Sequence, residues 1–204
     1  MFFKTPGIVR RFYSKATWIK PSVEKRKKTV YLTFDDGPTP EITDWVLDLL
    51  SKEEIFATFF CVGKNIEENP NLFEKIQKDN HTVGNHTFSH LNGWKCRKQD
   101  YFADVEKCNQ FLKRKIFRPP YGKMTPAQFN FLRKNYEIIF WDIITYDYKQ
   151  NLNIEQSLKY IKQNTRDGSV IVFHDSVKAY SNLKQLLPLT ISFLKDKGFE
   201  FSKF

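Results

Sequence analysis

Short runs rich in β-branched and aromatic residues alternate with helical segments from residue 30 onward, and this alternation constrains the fold more than any other feature. Residues 30–34, 57–62, 82–86, 116–118, 138–142, 170–174 and 199–204 read as strands. Between them lie segments with helical apolar periodicity. Thr39-Pro40 precedes Ile42, Trp45, Val46, Leu49 and Leu50 on one face, and Asn69-Pro70 and Thr125-Pro126 repeat the pairing of an N-cap residue with proline at the first helical position. Residues 100–112, 154–162 and 183–194 complete the helical set. Such a succession implies a parallel sheet, open or closed into a barrel.

With 204 residues, 41% of them apolar and 20 of them Phe, the chain can bury one sizeable core, and no repeat or linker marks a second. Cys61, Cys96 and Cys108 are odd in number and lack CxxC spacing, which argues against a disulfide framework and for a reducing compartment. The first residues carry no apolar signal-peptide core and no stretch is long enough to span a membrane, so a cytoplasmic or inner-membrane-peripheral location is expected rather than secretion.

Charge is unevenly placed. Residues 1–28 hold nine Lys or Arg against Glu24 alone, so eight of the ten net positive charges lie there. The expected organisation is a basic N-terminal extension over residues 1–27 ahead of a domain over 28–204. With Phe12, Tyr13 and Trp18 interleaved, the extension suits an anionic membrane surface or polymer, or else is a solvated segment whose aromatics dock on the domain. No nucleic-acid-binding motif accompanies the charge, so a nucleic-acid partner is not expected.

Polar residues gather just after the strands. Asp35-Asp36-Gly37 follows the first, His86 and His90 the third, Arg118 to Gly122 the fourth, Asp142 to Asp147 the fifth, and His174-Asp175 the sixth. In a parallel barrel these C-terminal ends share one face, where catalytic sites are assembled. Two imidazoles four residues apart, one helical turn, together with a strand-end carboxylate make a three-ligand metal site with one open position, the pattern of a catalytic metal. His81 precedes the third strand, away from that face, and reads as structural.

These motifs resemble the polysaccharide deacetylase family, carbohydrate esterase family 4, which includes chitin and peptidoglycan N-deacetylases. The likeness spans roughly residues 28–204. Thr33-Phe34-Asp35-Asp36-Gly37, His86-Thr87-Phe88-Ser89-His90 and Arg118-Pro119-Pro120-Tyr121-Gly122 are full matches to its first three motifs. The fourth usually ends Asp-Trp and here reads Asp147-Tyr148; the fifth, usually Leu-x-His, reads Val172-Phe173-His174. The resemblance implies an α/β fold, a distorted (β/α) barrel with about seven parallel strands.

It also implies that Asp36, His86 and His90 bind a divalent metal, Zn2+ or another transition ion such as Co2+ or Ni2+, and that Asp35 is the general base. His174 becomes the general acid, held and charged by Asp147. Arg118 orients Asp35 through a bidentate pair, and the backbone N–H of Tyr121 stabilises the oxyanion. Tyr148, Val172 and Trp94 are expected in the substrate pocket. The implied reaction is removal of N-acetyl groups from an N-acetylglucosamine-containing glycan; the alternatives are an O-acetyl esterase of acetylxylan type and a catalytically inactive carbohydrate-binding barrel.

Overall fold

A computed structural model describes residues 7–24 and 27–204; Lys4, Lys25 and Arg26 of the basic leader lie outside that range. The hub is β1 (Lys28–Asp35), buried from its second residue onward. Beside it run β2 (Thr58–Cys61), β3 (Thr82–Asn85), β4 (Ile116–Phe117) and β5 (Glu137–Ile138) on one side, and β7 (Ser169–His174) and β6 (Ile143–Ile144) on the other, all parallel. The last strand, β8 (Phe199–Ser202), pairs with the first half of β1, below the stretch that β2 occupies. The curled parallel sheet and its helices are the distorted barrel expected from the motifs.

The two-residue period of each strand divides its side chains between two layers. Val30, Leu32 and Phe34 of β1, Phe59 of β2 and Ile171 and Phe173 of β7 face outward, into an apolar layer with α2 (Ile42–Lys52), α4 (Pro70–Lys78) and α8 (Tyr180–Asp196). The alternate residues fill the barrel. Tyr31, Phe60, Ile116, Ile139, Val170 and Phe204 form its floor. Thr33 and Arg118 lie above them, and Asp35 and His174 end their strands at the top. Gly84 makes room for this packing, since a Cβ there would lie 2.7 Å from the Phe60 ring.

Several elements differ from the sequence reading. The predicted strand over 138–142 divides in two, because the chain leaves β4 after Ile138 and Asp142 turns toward β7, where its N–H bonds Val170 and its carboxylate takes Arg10, Arg166 and Ser169. Asp142 therefore sits near the start of β7, not at the C-terminal face. The first long helix begins at Ile42 rather than at Pro40, since Glu41 is left-handed at φ 65°. A short helix, α3 (Gly63–Glu68), occupies the stretch between the second strand and Asn69-Pro70, which the sequence reading leaves unassigned. The other capping signals fall where expected, and Thr125 forms a reciprocal capping box with Gln128 at α6 (Pro126–Leu132).

Residues 7–24, ahead of the first strand, are built into the barrel wall. After α1 (Gly7–Phe12), Thr17 bridges Ile139 and Ile19 bridges Ser169, spanning the space between β5 and the start of β7. Trp18 stacks on Phe140 with centroids 4.3 Å apart and donates its indole N–H to the Tyr13 carbonyl. Arg10 is drawn inward to Asp142 and over Trp18, so part of the leader's charge is neutralised internally. Trp18 is 8% exposed. Trp18→Ala is expected to cost about 3–5 kcal/mol, lowering Tm by about 10 °C for a chain of this size. Thermal denaturation followed by circular dichroism reads this directly; an unchanged midpoint would mean the segment adds nothing to the wall.

Candidate active site

β1 delivers two carboxylates in opposite settings. Asp35, the last strand residue, points inward, where Arg118 Nη1 meets its Oδ1 at 2.7 Å. Asp36, just beyond the ladder, adopts a left-handed φ of 86°, a backbone state costing about 1–3 kcal/mol unless its surroundings impose it. Its carbonyl accepts from the Asn65 amide at 2.7 Å, and its side chain turns toward the two histidines.

His86 and His90 are not on a helix, contrary to the reading of their spacing as a helical turn. They stand on a loop after β3 in which Thr87 and His90 are both left-handed. The loop is pinned by Asp104, of α5 (Lys98–Asn109), which accepts from the N–H groups of Phe88 and Ser89 and from the Ser89 hydroxyl, each at 2.9 Å. His86 Nδ1 lies 2.8 Å from the Arg118 carbonyl, which accepts its proton and leaves Nε2 with a free lone pair facing Asp36.

From Asp36 Oδ1, His90 Nε2 is 3.1 Å away and His86 Nε2 3.7 Å, and one ligand atom from each residue lies within 4.8 Å of the others. Tetrahedral zinc ligands at their usual bond lengths stand about 3.3 Å apart, so small side-chain shifts would bring the trio to the spacing of a divalent-cation site. Electrostatics favour the same protonation states. Burial would raise the Asp36 carboxyl, but the hydrogen bond from His90 and the positive charge of His174 outweigh it and hold the group well below the usual carboxylate range. Burial lowers His86 to about 4, keeping it neutral as a ligand must be.

Arg118 is fully buried, with its guanidinium 4.1 Å over the Phe60 ring. It does not grip Asp35 in bidentate fashion as expected. Nη1 serves both Asp35 and the Thr33 hydroxyl, while Nε and Nη2 donate to the carbonyls of Ile139 and Phe140. The sheet leaves these two carbonyls free where the chain passes from β5 to β6, and a buried guanidinium needs all its donors satisfied.

At the end of β7, His174 Nδ1 is 2.7 Å from Asp147 Oδ1, and the other Asp147 oxygen accepts the His174 backbone N–H. Burial would lower this imidazole, yet the Asp147 carboxylate, helped by Asp36 and Asp35, raises it to about 9. Tyr148 lies edge-on against the His174 ring, centroids 4.8 Å apart. Tyr121, left-handed at φ 59°, is exposed and sets its ring 4.6 Å from His90. Val172 is fully buried two residues below His174 on the same side of β7. Trp94 is 62% exposed and packs against Lys123 and the Met124 carbonyl rather than on the histidines. His81 is structural as expected: its Nδ1 accepts the Ala57 N–H, and burial lowers it to about 4.

A cavity of about 500 Å³ opens beside the trio, lined by Asp36, Val62, Lys64, Asn65, Ser89 and His90. The sequence reading missed Lys64 and Asn65. Their signal was the short helix α3 after β2, which Gly63 disguises as a breaker.

A sequence profile described as polysaccharide deacetylase matches residues 22–136, more than half of the chain. The chain belongs to the polysaccharide deacetylase family. Among members of this family, it is 34% identical over 183 residues to a peptidoglycan-N-acetylglucosamine deacetylase of Bacillus cereus, an alignment covering 86% of this chain and 66% of that protein's length. A chitooligosaccharide deacetylase of Azorhizobium caulinodans is 31% identical, with 75% of this chain and 76% of the relative covered. The crystal structure of the Bc1960 peptidoglycan N-acetylglucosamine deacetylase superposes with a TM-score of 0.80 at 30% identity, covering 98% of this chain and 95% of the other.

Proposed function

We propose that this polysaccharide deacetylase-family protein is a metal-dependent hydrolase that removes N-acetyl groups from N-acetylglucosamine units of a peptidoglycan- or chitooligosaccharide-like glycan. The observation that carries the reading is the joint placement of a cation-ready Asp36–His86–His90 trio with an Arg118-held carboxylate and an Asp147-held imidazole at one end of the barrel. A carbohydrate-binding barrel has no use for a buried base and a charged acid together.

Asp36, His86 and His90 would hold the ion, with Zn2+ suited to two imidazoles and a carboxylate and Co2+ or Ni2+ as substitutes. When bound it supplies Lewis-acid polarisation of the acetyl carbonyl and lowers the pKa of water toward about 7. Asp35 takes the proton of the attacking water; Arg118 occupies its Oδ1, which leaves Oδ2 for that proton. His174 donates Nδ1–H to Asp147, so its Nε2 proton is the one given to the sugar nitrogen as the carbon–nitrogen bond breaks, releasing acetate and a free amine. The Tyr121 backbone N–H serves the oxyanion, and Tyr148 and Val172 bound the acetyl pocket.

Acetate release from peptidoglycan, chitooligosaccharide and acetylxylan, each with and without chelator, tests the reading; activity on acetylxylan alone, or undiminished activity in chelator, overturns it. The acid has its own signature. His174 is protonated below its pKa of about 9, so amide turnover should fall as the pH rises through that value. His174→Ala should lose this alkaline limb and retain far more activity on aryl acetates, whose leaving groups depart without a proton, than on amides. Equal losses on both substrates would remove His174 from that step.

A further inference from the structure

Asp175 follows His174 and is fully buried, yet nothing in the proposed reaction uses its carboxylate. Its Oδ1 accepts the Gly37 N–H at 3.1 Å and its Oδ2 the Thr43 hydroxyl at 2.6 Å. Its own backbone N–H donates to the Asp35 carbonyl at 3.1 Å. The chain is thereby gripped on both sides of Asp36, through the carbonyl of the preceding residue and the amide of the following one. Asp36 is the residue held left-handed at φ 86°, a conformation a non-glycine residue keeps only when neighbours over-determine it. Gly37 is fitted to the same contact, because a Cβ there would lie 2.0 Å from Asp175 Oδ2. Thr43, in the first turn of α2, also accepts the Thr39 N–H at 2.8 Å, so the clamp runs from β7 across the motif loop into the helix.

Both donors to this carboxylate, the Gly37 backbone N–H and the Thr43 hydroxyl, are neutral, and burial, with Asp36 nearby, pushes its pKa up to about 7. A carboxyl group kept in so unfavourable a setting is a poor device for stability alone.

We propose that Asp175 is a positioning residue, which fixes the left-handed backbone at Asp36 by holding Gly37 and Thr43 and so aims the Asp36 carboxylate at His86 and His90. The inference rests on reading those three residues as the metal site. Asp36→Ala tests that reading separately: if it binds Zn2+ as wild type does, the site reading falls whatever Asp175 does.

The experiment measures Zn2+ affinity of the full chain by competition with a chromophoric chelator, together with kcat, KM and the melting of the metal-free protein. Asp175→Ala should weaken Zn2+ binding by about 10–100-fold, the usual effect of losing a residue that orients a ligand. It should also lower kcat while KM stays within about twofold. Asp175→Asn retains an acceptor for Gly37 and offers a donor that the Thr43 oxygen can accept, so it should recover most of the affinity. An Asp175→Ala protein that melts earlier but binds Zn2+ like wild type overturns the proposal and makes the role purely structural. If that variant does not fold, Thr43→Val decides: an unchanged Zn2+ affinity overturns the proposal, and a clear loss supports it.

Discussion

Replacing His86 by alanine is expected to abolish metal binding and turnover together while leaving the barrel folded. His86 is almost wholly buried, and its Nδ1–H is committed to the Arg118 carbonyl, so its Nε2 is a pre-aimed donor whose loss leaves only two ligands. Affinity should fall by more than the roughly 10–100-fold that loss of a second-sphere partner costs. The fold survives because the apolar layers on both sides of the sheet do not pass through this side chain. Metal content after dialysis, measured beside a circular dichroism spectrum and acetate release, checks all three statements. Metal retained at wild-type stoichiometry would remove His86 from the ligand set.

The second large effect belongs to Asp35. Asp35→Asn should keep the metal and lower kcat by about 10²–10⁴, the usual worth of general base catalysis, because the amide keeps the shape of the carboxylate but cannot take a proton. Stability should fall as well: Arg118 is fully buried, and removing the charge that faces it costs about 3–5 kcal/mol when a buried pair is broken. Rates are therefore to be compared well below the melting midpoint of the variant, with metal content measured on the same sample. A folded, metal-loaded Asp35→Asn protein turning over at nearly the wild-type rate would end the assignment of Asp35 as base.

The residues that the sequence exposes most clearly are those that interrupt an apolar run at a strand end. Asp35 and His174 announce themselves because the mostly apolar buried runs at residues 30–34 and 170–173 have no packing reason to end in them, and the parallel topology then brings them to one face. Conformation that depends on distant partners is less legible. The spacing of His86 and His90 fits a helix equally well, and without glycine at Thr87 or His90 nothing local signals their left-handed backbones; Asp104, fourteen residues beyond His90, imposes the loop. The run over 138–142 looks like one strand because periodicity cannot register that Asp142 is claimed by Arg10 and Arg166. For the same reason a guanidinium beside a carboxylate suggests a bidentate fork, whereas Arg118 divides its donors among carbonyls that only the finished barrel brings near.

The stretch around Trp18 closes the wall between β5 and β7, and its partners lie far along the chain: Thr17 bonds Glu137 across 120 positions and Ser22 bonds Asp167 across 145. These residues precede partners more than a hundred positions away, a high-contact-order closure whose loop entropy must be met before any contact rewards it. Until Phe140 has been synthesised, Tyr13 and Trp18 lack the ring they pack against, and until Ser169 follows the barrel keeps an open seam beside unpaired strand edges. A chain with that seam open exposes those edges and is prone to aggregate. Burial of Trp18 therefore reports closure of this wall, and its fluorescence, read in a chain whose other three tryptophans are replaced by phenylalanine, should reach its native value late in refolding.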